Sequence, residues 1–365
     1  MSREPQDPAR IWENSTLRCI ICSIQNAKME TLNPLVMMSG TTKPGDSPRR
    51  LLSRCEPAAP PSAPRLAGVP LLTVDDLLWF LYLYPLRVLA AFVPPGLTYS
   101  IGRLFQFRVR KRRDMATRRI LTAQCAGISR DRVPQIADNF LANSAIRMLD
   151  DLVLSWPSFP KRLRCSGIQG LEHLERGRSA GKGVILLTAH FCAIRVAKRY
   201  LATIGHPILT VRDQTQRGDW WGCFGRRILE PRRMEFLHAI IGESVYIQDR
   251  ECTLKILRRL RSGGLVNIHF DGQSGTRTTP WSLLGTPRHF STGVFDLVRL
   301  SGCAVVPMIC LGRSSAFRII FGPMLDIAQA PGRDEFIRAN LPAFVQTIEK
   351  QILDYPEEWE QWMSI

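Results

Sequence analysis

One imidazole stands where an open α/β sheet would present it to a ligand. Residues Val184 to Leu187 form a continuous apolar run with β-branched members, preceded by Gly181-Lys182-Gly183, the pattern of a central parallel strand bounded by a turn. His190 follows two residues after Thr188, just beyond the carboxyl end of that strand, where ligands of such sheets bind. An imidazole so mounted is suited to general base catalysis. A second strand, predicted over Gly264 to Phe270, closes on Asp271 and would open onto the same sheet edge. Asp271 precedes Gly272, and Asp-Gly is a common turn dipeptide, so a working carboxylate and a turn residue are both open readings. Asp213, after the strand ending at Val211, is the other candidate carboxylate. Arg195, five residues beyond His190, carries a permanently charged group with donors only. It suits an anionic ligand, and close to an imidazole it would lower that ring's pKa.

The remaining histidines carry weaker signals. His206 precedes Pro207 and reads as a loop residue; His238 and His289 have no partner in the sequence; His269 shares a strand face with Asp271 and reads as an interior histidine. H-E-x-x-H, G-x-S-x-G and Walker patterns do not occur. Gly181-Lys182-Gly183 precedes its strand and so fails the context of a phosphate cradle. Cys19 and Cys22 have C-x-x-C spacing without a second pair. Cys125, Cys165, Cys192, Cys252, Cys303 and Cys310 lie among apolar neighbours and read as buried thiols of a reducing compartment. No metal constellation is visible.

The elements that must hold His190 follow from periodicity. Residues 114 to 156 have helical apolar spacing, with Ile136, Phe140, Ala145, Met148 and Leu152 on one stripe. From about Cys165 strands and helices alternate. Strands are predicted over Gly183–Thr188, Pro207–Val211, Gly264–Phe270, Ala304–Cys310 and Phe317–Phe321, and helices near 192–204, 250–262, 291–301 and 333–353. The result is an α/β layer architecture.

The chain has 365 residues, 45% of them hydrophobic, with 49 Lys plus Arg against 32 Asp plus Glu and a formal net charge of +17. A sizeable core is therefore available, and an acidic partner is implied: nucleic acid, anionic membrane or an anionic carrier. Nucleic acid is not the expected partner, because no recognised binding motif accompanies the charge. Arg3, Asp7, Arg10 and Glu13 interrupt any apolar secretory signal, and Pro- and Ser-rich residues 39 to 66 read as a disordered leader. Leu77 to Val93 is a very apolar run opened by Thr73 and Asp76. At roughly 26 Å it falls short of a hydrocarbon core of about 30 Å, and it contains Pro85 and Arg87. An interfacial helix and a buried helix are the competing readings. Trp79, Tyr82, Tyr84 and the basic residues Arg108 to Arg113, Arg118 and Arg119 favour contact with anionic lipid.

Taken together, these motifs resemble the lysophospholipid acyltransferase superfamily and, within it, the bacterial lipid A late acyltransferase (lauroyl/myristoyl) branch. The resemblance covers roughly residues 74 to 360. His190 fills the histidine of the family's His-x4-acid motif, while Arg195 stands where the acid belongs, and Cys192-Ala-Ile194 replaces the usual Gly-Asn-Trp. Phe270-Asp-Gly-Gln273 is similar to the family's Asp-Gln strand end, Leu284-Gly-Thr-Pro-Arg288 to its Phe-Phe-Gly-x-Pro segment, and Gly302-Cys-Ala-Val-Val-Pro307 to its Val-Val-Pro strand. Pro356-Glu-Glu-Trp-Glu-Gln-Trp362 resembles its closing Pro-x-x-Trp-x-x-Trp.

The resemblance implies a glycerol-3-phosphate-acyltransferase-like layered sheet with flanking helices, preceded by an N-terminal membrane-associated helical segment. The boundaries expected are a leader over 1–70, a helical membrane-associated lead-in over 71–155 and the α/β domain over 156–365. It implies transfer of a fatty acyl group from acyl carrier protein or acyl-coenzyme A to a lipid or glycolipid, at the cytoplasmic face of a bacterial inner membrane, with no metal or cofactor beyond the acyl donor. Anionic membrane lipid and the thioester carrier are the implied partners. His190 would be the base, with Asp271 as the stand-in acid. Arg195, Arg226, Arg227 and Arg313 are the substrate-binding candidates. Three outcomes stay open for the missing acid: another carboxylate orients His190, His190 works alone, or the fold persists as a non-catalytic lipid-binding protein.

Overall fold

Val184, Ile185, Leu186 and Leu187 are all fully buried, because the strand they form has apolar layers on both faces. In the computed structural model, which describes residues 77, 97, 100, 110–122, 127–153, 163–213, 242–272, 275 and 277–364, alternate residues of this strand enter two different cores. Ile185 and Leu187 join one, with Phe270, Phe295 and Phe344. Val184 and Leu186 join the other, with Ala197 and Leu201. A period of two splits a continuous apolar run in this way.

The elements are α1 (Arg110–Thr122), α2 (Val133–Val153), β1 (Cys165–Gln169), α3 (Leu171–Ser179), β2 (Val184–Thr188), α4 (Ile194–Thr203), β3 (Ile208–Arg212), β4 (Ser244–Tyr246), α5 (Cys252–Arg261), β5 (Leu265–His269), β6 (Thr278–Leu283), β7 (Thr286–Ser291), α6 (Gly293–Ser301), β8 (Ala304–Arg313), β9 (Ala316–Phe321) and α7 (Arg333–Asp354). Among the described residues, seven strands form one sheet in the order β1-β9-β8-β2-β5-β3-β4, and β6 and β7 form a separate hairpin. Strands β8, β2, β5, β3 and β4 are mutually parallel; β9 runs antiparallel to β8, and β1 parallels β9. Helices α3 and α4 contribute to one core and α1, α2, α5, α6 and α7 to the other. This is the α/β architecture that the sequence predicts, with a central sheet and flanking helices.

Several expectations match to within one or two residues, including β2, β3, β5 and the helices α4, α5, α6 and α7. Strand β8 runs three residues past its predicted end, and β1, β4, the β6–β7 hairpin and α3 were not predicted. Gly183 explains the turn before β2. Its φ is +73°, and a Cβ there would lie 2.5 Å from the Leu260 carbonyl oxygen, so only glycine brings the chain this close to α5. The described elements fall within the compact unit made of residues 82–217 and 231–365. The leader, all of the apolar run except Leu77, Arg108, Cys19, Cys22, Cys125, His238, Arg226 and Arg227 lie outside the described residues. Among the described residues, no helix is long and apolar enough to cross a membrane.

Candidate active site

Parallel pairing delivers the site. Thr188 of β2 is in register with His269 of β5, and the Phe270 amide donates to the Thr188 carbonyl at 2.9 Å. Two residues past each of these, His190 and Asp271 meet. His190 Nδ1 lies 2.7 Å from Asp271 Oδ1, and the His190 backbone amide donates to Oδ2 at 2.9 Å. Trp359 Nε1 donates to the same Oδ2 at 2.7 Å. With the carboxylate accepting at Nδ1, the neutral ring carries its proton there and offers Nε2 as acceptor. The imidazole keeps 23% of its surface exposed while the carboxylate keeps none, so a ligand can reach the ring but not the acid. Of the two candidate carboxylates, Asp271 touches His190; Asp213 instead accepts a hydrogen bond from Gln248 at 2.5 Å. Asp271 does occupy a turn, but its side chain points into the site.

Electrostatics favour an ionised Asp271. Burial alone would raise its pKa, but the His190 charge and the hydrogen bonds from His190 and Trp359 outweigh burial and hold the carboxyl below its ordinary value. The neighbouring rings are arranged differently. His269 stacks on His190 with centroids 4.2 Å apart, and its Nε2 lies 3.4 Å from Lys198 Nζ. Burial first, then the charges of His190, Lys198 and Arg195, push His269 well below the ordinary histidine range, so it stands neutral beside the dyad. Lys198 is 3% exposed, and burial, with Arg212 the next contribution, lowers its ammonium well below the usual lysine value. Burial pushes the Cys310 thiol up to about 12, which leaves it protonated and a poor nucleophile.

The other predicted residues are dispersed. Arg195 lies exposed on the first turn of α4, with its charge bearing on His269 and Lys198. Arg313 ends β8 and helps hold down the Glu358 carboxyl, which burial nevertheless raises to about 7. His206 lies 3.0 Å from Arg178 and His289 lies 3.5 Å from Thr278, both away from the dyad.

The sequence reading sees no metal constellation, yet the ligand atoms of His190, His269 and Asp271 all lie within 4.8 Å of one another. Strand pairing gathers them from positions 81 residues apart. Coordination by all three would break the 2.7 Å bond of Nδ1 to Oδ1, and Oδ2 already accepts two donors. The observed arrangement is a part-exposed imidazole hydrogen-bonded to a buried carboxylate.

Two residues at the site were not singled out beforehand. Lys198 falls on the stripe shared by Ile194, Ala197 and Leu201, so a cation on an apolar helix face was its signal. Arg288 has the same parity as Phe290 in β7, is 4% exposed, and feels the charge of Asp271.

Residues 71–364 match the family described as bacterial lipid A biosynthesis acyltransferase. The chain is 22% identical over 264 residues to the lipid A biosynthesis palmitoleoyltransferase of Escherichia coli (strain K12), covering 71% of this chain and 80% of the relative. Identity and coverage are the same for the lipid A biosynthesis acyltransferase of Shigella flexneri. The chain belongs to the bacterial lipid A biosynthesis acyltransferase family. It is an acyltransferase.

Proposed function

We propose that this chain transfers a fatty acyl group from an acyl-carrier-protein or coenzyme A thioester to a hydroxyl of lipid A or a precursor, with His190 as general base. The 2.7 Å bond between His190 Nδ1 and Asp271 Oδ1 is the observation that carries this reading. His190 Nε2 takes the acceptor hydroxyl proton as its oxygen attacks the thioester carbonyl carbon. The tetrahedral oxyanion then collapses, the C–S bond breaks, and the imidazolium returns the proton to the leaving thiolate, leaving an ester and a free thiol. Asp271 orients the ring and stabilises the imidazolium, the task assigned in the sequence motif to the acid that Arg195 replaces.

The same reading gives Arg195, Arg226, Arg227 and Arg313 the anionic groups of donor or acceptor, in keeping with the charge of +17. Residues 71–155 then form the membrane-associated lead-in. The apolar run at 77–93 and its basic neighbours hold the enzyme to anionic lipid at the cytoplasmic face of the inner membrane. The test is transfer of labelled acyl groups from each donor to lipid A precursors and to phospholipid. Transfer to lipid A precursors that His190→Ala abolishes supports the proposal. Transfer that survives His190→Ala, or that goes to phospholipid alone, overturns it.

A further inference from the structure

The C-terminal segment closes over the dyad from a part of the chain that neither strand supplies. Pro356–Glu358 and Glu360–Ser364 form two 3-10 turns, with Trp359 and Trp362 both fully buried and packed edge to face at 4.8 Å. Trp359 forms an antiparallel bridge with Phe191. The Glu360 amide donates to the His190 carbonyl at 2.8 Å, and the Cys192 amide donates to the Glu358 carbonyl at 3.1 Å. The backbone that follows the imidazole is thereby pinned. The segment is anchored in turn on α2, where Asn143 Nδ2 donates to the Glu357 carbonyl at 3.0 Å and Arg147 pairs with Glu360 at 2.9 Å.

The two indoles do different things. Trp362 Nε1 donates to the Pro356 carbonyl, within its own segment. Trp359 Nε1 reaches 88 residues back in sequence to Asp271 Oδ2. An aspartate carboxylate, carried on two rotatable bonds, would be free to swing. Here Oδ2 is held by the indole and the His190 amide, which leaves Oδ1 facing the imidazole.

We infer that Trp359 is a positioning residue of the acyl transfer: its indole N–H fixes the Asp271 carboxylate so that Oδ1 orients His190, and the C-terminal segment completes the site. This rests on the dyad reading above. The carboxylate it positions lies two residues past β5, beside the strand that carries His190.

A double-mutant cycle on the full chain tests it. Trp359→Phe keeps the buried ring and removes the donor; the expected result is a kcat lowered about tenfold, the scale of one hydrogen bond to a charged group, with KM within about twofold. In the Asp271→Asn background the same change should cost almost nothing, whereas an equal loss in both backgrounds overturns the inference. Trp362→Phe is the control for packing and should leave kcat within about twofold. A loss matching that of Trp359→Phe would mean that general packing is at work. The indole N–H resonance of Trp359 gives a readout independent of turnover and of the folding of the Trp359 variant. It should move upfield in Asp271→Asn while that of Trp362 stays, and an unmoved Trp359 resonance overturns the inference. If the unmodified protein transfers no acyl group, the functional reading fails, and the resonance alone decides whether Trp359 holds the carboxylate.

Discussion

His190 and Asp271 leave two adjacent parallel strands at one register, each two residues beyond the paired Thr188 and His269. The pair is 81 residues apart in sequence, yet the β2–β5 ladder brings its two residues side by side, because strand register fixes which residues emerge together. On the proposed function Asp271 does the work of the acid that α4 lacks, and Arg195 stands exposed on that helix.

On the proposed function, Arg195 binds an anionic group and takes no part in the chemistry. Arg195→Ala should raise the KM of the anionic substrate about tenfold or less while kcat stays within about threefold, as expected for a uniform-binding contact. Steady-state kinetics at varied ionic strength check this, and a kcat loss beyond tenfold would contradict it.

Much of this site was legible in the sequence, for physical reasons that also mark its limits. The unbroken apolar run at 184–187 betrays a strand buried on both faces, and the histidine at its end follows by topology. Asp271 was visible as the terminus of a second such strand, but its two roles, turn and orienter, share one dipeptide and separate only once β2 and β5 are paired. The β6–β7 hairpin escaped notice because its turn is Leu284-Gly285, with Leu284 at φ +51°, where hairpins usually signal with Asn-Gly or Asp-Gly. Burial of the Leu284 side chain and the bond of its amide to Glu349 at 2.7 Å hold it there. Strand β4 has three residues, too few for a period to register. The tie of Trp359 to Asp271 joins distant segments and leaves no local trace.

Glu358 makes the C-terminal segment sensitive to pH. The residue as a whole is half-buried, but its Oε2 is sealed from solvent with no hydrogen-bond partner among the described residues, and burial raises its pKa from 4.5 to about 7. Between those values the unfolded chain ionises while the folded one keeps its proton, so stability falls as pH rises and the loss is complete above about 7. The cost is on the order of 3 kcal/mol. Glu358→Gln should therefore raise Tm by about 5 °C at pH 8 and hardly at all at pH 4.5. An equal change at both pH values would contradict this account.

Lys198 should be replaceable at a gain in stability. Its depressed pKa means that the buried ammonium is costly at low pH, and that stability rises with pH from the folded value up to the ordinary 10.5. Lys198→Met removes that cost in a side chain able to fill the same space. Denaturant titration should show stabilisation on the order of 1 kcal/mol near pH 7, shrinking toward pH 10. Destabilisation of equal size at both pH values would mean that the amine has a structural role through His269.

The central claim is that His190 and Asp271 act as one unit. The most direct measurement is kcat for acyl transfer by the unmodified enzyme, His190→Ala, Asp271→Asn and the double variant at one pH. If Asp271 works through the imidazole, Asp271→Asn costs on the order of 10²–10⁴ and the double variant is no slower than His190→Ala. Multiplying losses, or an Asp271→Asn variant with full activity, would contradict the account.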